Sequence, residues 1–403
     1  MYQPLKDVRV VDLSQVLAGP YATYQLALLG AEVLKIEKPG EGDWTRHGGG
    51  ANGLSNANMG LGFMTQNAGK KSVTIDLKKP DGLALVKKLI ATADVFVENF
   101  KPGVAERLGL GFDVVREIAP NIVYCSISAY GQDGPLRERP AYDHVIQGMC
   151  GIMMTTGQPD AGPTKVGAPY VDYATGMNAA MAIMSGLLEV KRTGAAVRLD
   201  VAMLDTALML MASLMTQHLS TGWKPAQNGN EAWSASPSSG AFDTADGMLM
   251  LAANNDVQFE RLCRGLDRPD ILDDPRWGSP EQRAQHGAEL RQELIDVFAT
   301  QTAAHWEEVL SKHQVPAARV RGLDEVMAEE QVRARGLITS FTVPEHDRPI
   351  QVPTMSFKAN GTNTPPQRIP SRLGADTDHA LTDIGLTAAE IETYKLNGVT
   401  SPT

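Results

Sequence analysis

The sequence predicts an α/β protein in which helices cover a parallel sheet. Two observations carry this. Short β-branched apolar runs alternate with helix-period segments through the first half of the chain. The runs are apolar along most of their length, as strands buried on both faces are. Residues 8–13 (VRVVDL) form the first run. Pro20 opens a helical stretch that ends at Gly30, with proline near the start and glycine at the end. Residues 31–38 (AEVLKIEK) are the next strand, closed by Pro39 and Gly40, which completes a βαβ unit. Residues 72–77 (SVTIDL), 95–98 (VFVE) and 122–127 (IVYCSI) are further strands, separated by helical patterns at 82–91 and 114–118.

Asp172 precedes an apolar helix pattern at 176–190. Residues 197–201 read as one more strand, and 204–219 as a buried helix rich in Met and Leu. Residues 220–240, rich in Gly, Ser, Asn and Pro, mark a boundary. A strand at 248–252 and several helices between 257 and 313 follow, with Trp306, Val309 and Leu310 at core spacing. The sequence shows no repeat, heptad run or low-complexity tract.

A chain of 403 residues has room for two or three domains. With 43% hydrophobic and 21% charged residues it is an ordinary globular chain, able to bury a core without staples. Cys125, Cys150 and Cys263 are odd in number and widely spaced, so they read as buried reduced thiols of a cytosolic enzyme. The start lacks the basic and apolar regions of a signal peptide. The apolar stretch 203–215 is broken by Asp205 and Ser213, so no membrane span is expected. A net charge of −10 argues against nucleic acid as a partner.

Several common motifs are missing. The turn after the first strand reads Val16-Leu17-Ala18-Gly19-Pro20, without the glycine pattern of a dinucleotide site. Gly69-Lys70-Lys71-Ser72 resembles the end of a P-loop, but Met64 stands where the upstream glycine belongs. Residues 48–50, three glycines, read as a loop. No histidine pair has zinc spacing, so no metal is expected, and no G-x-S-x-G elbow occurs.

The ends of the expected strands remain, and in parallel sheets ligands sit at those carboxyl ends. They bring Lys38, Lys78, Lys101 and Arg107 towards one rim. A basic rim on an acidic protein suits a polyphosphate ligand, and a solvated surface with scattered lysines is the other reading. Asp172, ahead of its helix, is equally two things by pattern. It is a preferred helix cap, or a carboxylate nucleophile near a helix terminus whose dipole and donors stabilise anions.

Six ordered motifs then join into one pattern. They are Pro4-Leu5 with residues 10–20, residues 29–37 (LGAEVLKIE), 67–77 (NAGKKSVTIDL), 97–103 (VENFKPG), 130–135 (YGQDGP) and 172–176 (DYATG). Together they closely resemble the class III CoA-transferase family of the CaiB/BaiF type, which also contains α-methylacyl-CoA racemases. The match is strong over residues 4–220 and looser beyond.

The resemblance implies that Asp172 attacks the thioester of an acyl-CoA. A mixed anhydride and then an aspartyl-CoA thioester form, and CoA passes to an acceptor acid. Coenzyme A and its thioester are substrates, with no tightly bound cofactor implied. Leu17 and Ala18 match a CoA-contacting turn, and Lys38 a position near the nucleotide phosphates. Ile75, Lys78, Asn99 and Phe100 match positions beside adenine and ribose, and Arg107 a phosphate-side arginine. Taken alone, Ile75 and Phe100 read as core. Tyr142 stands where the racemase branch has its histidine and is counted with the CoA-contacting positions; His144 lies two residues on.

The formyl-CoA:oxalate branch has Gln at the position of Leu17, and a glycine-rich loop where residues 228–240 read NGNEAWSASPSSG. Oxalate is therefore not the expected acceptor. A racemase and a non-catalytic CoA-ester-binding protein are the alternatives to a transferase. The implied architecture is a doubly wound, Rossmann-like large domain from residues 1–220, completed by 330–403. A smaller α+β domain spans 225–325, and two chains interlock as a homodimer.

Overall fold

The computed structural model describes residues 2–49 and 52–401, so Gly50 of the glycine run lies outside the described residues. The chain forms two compact units. One contains Met1–Met153, Lys165–Lys224 and Gln331–Thr403, and the other Met154–Thr164 and Pro225–Glu330.

The first unit is built on six strands: β1 (Arg9–Asp12), β2 (Glu32–Glu37), β3 (Lys71–Thr74), β4 (Val95–Glu98), β5 (Val123–Ser128) and β6 (Val197–Ala202). They lie in the order β3-β2-β1-β4-β5-β6, and every neighbouring pair is parallel. The order reverses between β1 and β4, which is the switch point of a doubly wound sheet.

Alternation along each strand feeds two separate cores. Val10, Val33, Val95 and Val123 pack on Ala22 and Leu26 of the Ala18–Leu28 helix and on Ala179 and Ile183 of the Tyr170–Thr193 helix. Val11, Leu34, Phe96 and Tyr124 face the other way, onto Leu85 and Leu89 of the Pro80–Ile90 helix. Each such side chain contributes roughly 1.5–3 kcal/mol by leaving water.

Two glycines allow the close packing of the Tyr170–Thr193 helix. A Cβ on Gly176 would stand 2.7 Å from the Ala18 carbonyl oxygen, and one on Gly186 would stand 2.9 Å from Val123. The end of the chain returns to the edge strand β3. Asp376 Oδ2 accepts the Ser72 N–H at 2.8 Å, and Thr377 Oγ1 accepts the Thr74 N–H at 3.0 Å. Side chains thus occupy donors that an edge strand would otherwise expose.

One expected helix is divided in the structure. The segment 204–219 is two helices, Met203–Met209 and Ala212–Thr221, not one. The second has no buried residue, and Met209 and Leu210 are more than half exposed. Apolar composition alone suggested burial, but these side chains point away from the unit's cores.

The second unit contains β7 (Ser239–Asp243), β8 (Met248–Ala252) and β9 (Ala317–Arg319) in an antiparallel sheet. Phe242, Leu249 and Leu251 of that sheet pack with Phe259, Leu294, Phe298 and Leu310 from helices. Among the described residues, no helix is long and apolar enough to cross a membrane.

Candidate active site

The Tyr170–Thr193 helix begins six residues before the apolar pattern at 176–190, so Asp172 lies inside its first turn and not ahead of it. The residue before the helix, Pro169, has no side chain that can cap. The donors of the first turn are satisfied from elsewhere. Asp143 Oδ2 accepts the Val171 N–H at 2.8 Å and the Asp172 N–H at 3.2 Å. Asp143 is itself buried, and Gln147 Nε2 donates to its Oδ1 at 2.6 Å. Gln147 Oε1 in turn accepts the Val166 N–H at 2.8 Å.

With capping done by Asp143, no hydrogen bond from a described residue reaches the Asp172 carboxylate. Burial, followed by the negative charge of Asp143, pushes the Asp172 carboxyl up to about 7. An unpaired carboxylate with a raised pKa in a cleft is a mark of a reactive group.

Asp172 lines a cleft of about 170 Å³ with Leu17, Ala18, Asn99, Tyr142 and Met203. Leu17 is the residue before the Ala18–Leu28 helix, so the start of that helix borders the cleft. Helix starts present backbone donors and partial positive charge. Asn99 ties this wall to β4: its Oδ1 accepts the Gln15 N–H and its Nδ2 donates to the Gln15 carbonyl, both at 2.8 Å.

A second cleft of about 120 Å³ lies at the ends of β1, β2 and β3 and is lined by Lys38, Ile75, Lys78 and Phe100. Gln15 lines both clefts. Ile75 is buried at 1% exposure and belongs to the core as well. Lys38 pairs with Glu41 at 2.5 Å on the surface. Lys101 and Arg107 line neither cleft; Arg107 stands beside Gly103.

The structure thus brings five sequence-selected residues to one cleft and four to the other, and leaves Arg107 outside both. Sequence reasoning missed Asp143, although it considered both of its neighbours, Tyr142 and His144. The signal was present: a helix whose first turn follows a proline needs an acceptor from outside it.

The profile of CoA-transferase family III matches residues 5–377, almost the whole chain. The chain belongs to CoA-transferase family III. It is similar to the succinyl-CoA:glutarate CoA-transferase of Mus musculus, with 36% identity over 382 residues, covering 95% of this chain and 86% of that protein. It is also similar to the succinate–glutarate CoA-transferase of Agrobacterium fabrum, with 38% identity over 342 residues, covering 83% of this chain and 84% of that protein. Among solved structures, a CaiB/BaiF family protein from Brucella suis superimposes with a TM-score of 0.82 at 31% identity, covering 95% of this chain and all of that one. The family III CoA-transferase described here is therefore an enzyme, and CoA thioesters are its substrates.

Proposed function

We propose that this family III CoA-transferase moves CoA from an acyl-CoA to a carboxylic acid with Asp172 as the covalent nucleophile. The observation that carries the reading is a carboxylate with no hydrogen-bond partner among the described residues, facing a cleft bordered by the start of a helix. An Asp172 oxygen attacks the thioester carbonyl, and the negative charge moves to the carbonyl oxygen. The N–H groups at Leu17 and Ala18 are the donors suited to that oxyanion. The C–S bond breaks, CoA thiolate leaves, and a mixed anhydride remains. Thiolate then attacks the aspartyl carbonyl and expels the first acid as carboxylate, which leaves an aspartyl-CoA thioester. The acceptor carboxylate attacks that thioester to form a second anhydride. The released thiolate takes the acceptor's acyl carbon and frees Asp172. Activation is conserved at every step, so no ATP is consumed. The apolar lining from Leu17, Ile127 and Met203 keeps water from the anhydrides.

Lys38 and Lys78 suit the phosphates of CoA, and Ile75 and Phe100 its adenine. The relatives named for succinyl-CoA and glutarate support short dicarboxylic acids as acyl donor and acceptor. A homodimer is supported by the Tyr170–Thr193 helix, whose Met177, Met181 and Leu188 are all more than half exposed. A racemase needs a second acid–base group across from Asp172. Among the described residues, Tyr142 and Asp172 are the titratable ones lining this cleft, and His144 does not line it.

A panel of acyl-CoA donors and acid acceptors, read by mass spectrometry, tests the function. Asp172→Asn should abolish exchange while CoA affinity stays close to that of the parent, and hydroxylamine should trap the aspartyl adduct. Full activity in Asp172→Asn would sink the mechanism. Deuterium wash-in at the α-carbon without an acceptor would favour the racemase.

A further inference from the structure

Beneath the wall formed by residues 14–17 lies a set of buried charges that the mechanism above does not use. Asp12, Lys35, Glu37, Asp43, Arg46 and Lys70 are each no more than 3% exposed. Arg46 pairs with Glu37 at 2.6 Å and Lys70 with Asp12 at 3.1 Å, which leaves Lys35 and Asp43 as the third pair, at 3.0 Å. Buried ion pairs seldom add stability over apolar packing, so this pair calls for another role.

Its contacts suggest one. Lys35 Nζ donates to the Ser14 carbonyl at 2.7 Å, and Asp43 Oδ2 accepts the Val16 N–H at 3.2 Å. The pair therefore grips the turn at two points, one on each side of Gln15. Val16, the second residue gripped, has φ +74°, a left-handed conformation that a β-branched residue strongly disfavours. A strained residue persists only where its surroundings over-determine it, and such residues gather at functional sites. Here the strained residue lines the Asp172 cleft and is followed directly by Leu17 and Ala18. Burial opposes the charge on Lys35 and on Asp43 alike, yet the opposite charge across the pair keeps Lys35 above, and Asp43 below, the usual range.

We propose that Lys35 and Asp43 are positioning residues: they lock the Ser14–Leu17 turn in its left-handed form and so present Leu17 and Ala18 to the reacting carbonyl at Asp172. The presentation part rests on the transferase reading; the locking part does not. Neither residue touches substrate in this scheme.

The test replaces both charges with apolar groups, Lys35→Met with Asp43→Leu, which leaves no unpaired buried charge. Hydrogen exchange of the 14–18 segment and steady-state exchange kinetics are measured on the whole chain. Faster exchange in that segment is expected, with kcat down by about a hundredfold and KM for the CoA thioester held within about threefold. Adding Val16→Gly, which adopts the left-handed form without a side-chain penalty, should recover much of the lost kcat. Tm is measured alongside, because glycine also relieves strain in a protein that is merely less well folded: recovery of kcat beyond what the recovery of Tm explains marks positioning. Unchanged hydrogen exchange at 14–18 overturns the proposal whatever the activity. Faster exchange with parental kcat overturns the presentation part, and so does a loss of kcat that Val16→Gly leaves untouched. If the double variant does not fold, Asp43→Asn is read in the same way. A parent chain inactive across the donor–acceptor panel sinks the transferase reading, while hydrogen exchange still decides the locking.

Discussion

Asp143 Oδ2 accepts the backbone N–H of Asp172 at 3.2 Å, so one carboxylate caps the helix turn that carries the other. The contact has two effects of opposite sign. It satisfies donors at the helix start, and its negative charge makes ionisation of Asp172 harder. Each can be measured.

Asp143→Ala removes the acceptor for two first-turn donors. We expect a loss of about 1–2 kcal/mol in urea unfolding, the usual value of a helix cap. Asp143→Asn keeps an acceptor but drops the charge. Its acid limb in kcat/KM should move to lower pH than the parent's, and an unmoved limb would show that Asp143 does not act on Asp172 through charge.

The nucleophile must be ionised. With the Asp172 carboxyl raised to about 7, kcat/KM for acyl-CoA should fall about tenfold per unit as pH drops below that value. A flat profile between pH 5 and 8 (a window of about three units) would contradict this placement.

The same shift has a stability side. A folded-state pKa above the ordinary carboxylate value means that the folded chain binds the proton more tightly than the unfolded one. That contribution is complete below the ordinary value, near 3.8, and is lost as pH rises through about 7. Asp172→Asn should therefore raise Tm more at alkaline pH than at pH near 4, as read by calorimetry at both ends.

Gly176→Ala puts a methyl group 2.7 Å from the Ala18 carbonyl oxygen and 3.0 Å from the Tyr21 ring. We expect about 1–3 kcal/mol of destabilisation and a drop in kcat, because the two helices bordering the Asp172 cleft must separate. Parental Tm and kcat together would show that the contact relaxes freely.

Lys38→Ala and Lys78→Ala should each raise KM for acyl-CoA by up to about tenfold at low salt and less at high salt, with kcat nearly constant. Arg107→Ala, outside both clefts, should change KM less than either. A larger effect from Arg107 would place the phosphates elsewhere.

The strands were legible because each is a short apolar run with a polar end. Residues 95–98 were read to the residue, and 197–201 within one. Their order in the sheet was not legible from periodicity, which records which faces are buried and not which strand lies alongside; the motifs implied a doubly wound sheet and no strand order. Asp172, Leu17, Ala18 and Asn99 stand at strand ends or beside helix starts, where the pattern already drew attention. The helix start after Pro169 signalled a missing acceptor but not that Asp143 supplies it, and Lys35 and Asp43 left no signal at all. Each acts through a backbone group far along the chain, and an isolated acidic or basic letter carries no trace of that partner. The Met-rich segment 204–219 was misread because composition reports apolarity but not which way a side chain points.

The contacts between β3 and the end of the chain also set an order in time. Ser72 and Asp376 are 304 residues apart, and Thr74 and Thr377 are 303 apart. At roughly 5–20 residues per second, a ribosome holds β3 without these partners for roughly 15–60 s. During that interval the edge of the sheet is open to any passing strand, so nascent chains of this enzyme are the form most in need of a chaperone. A release delayed by rare codons in the last stretch would lengthen the exposure without altering a single residue.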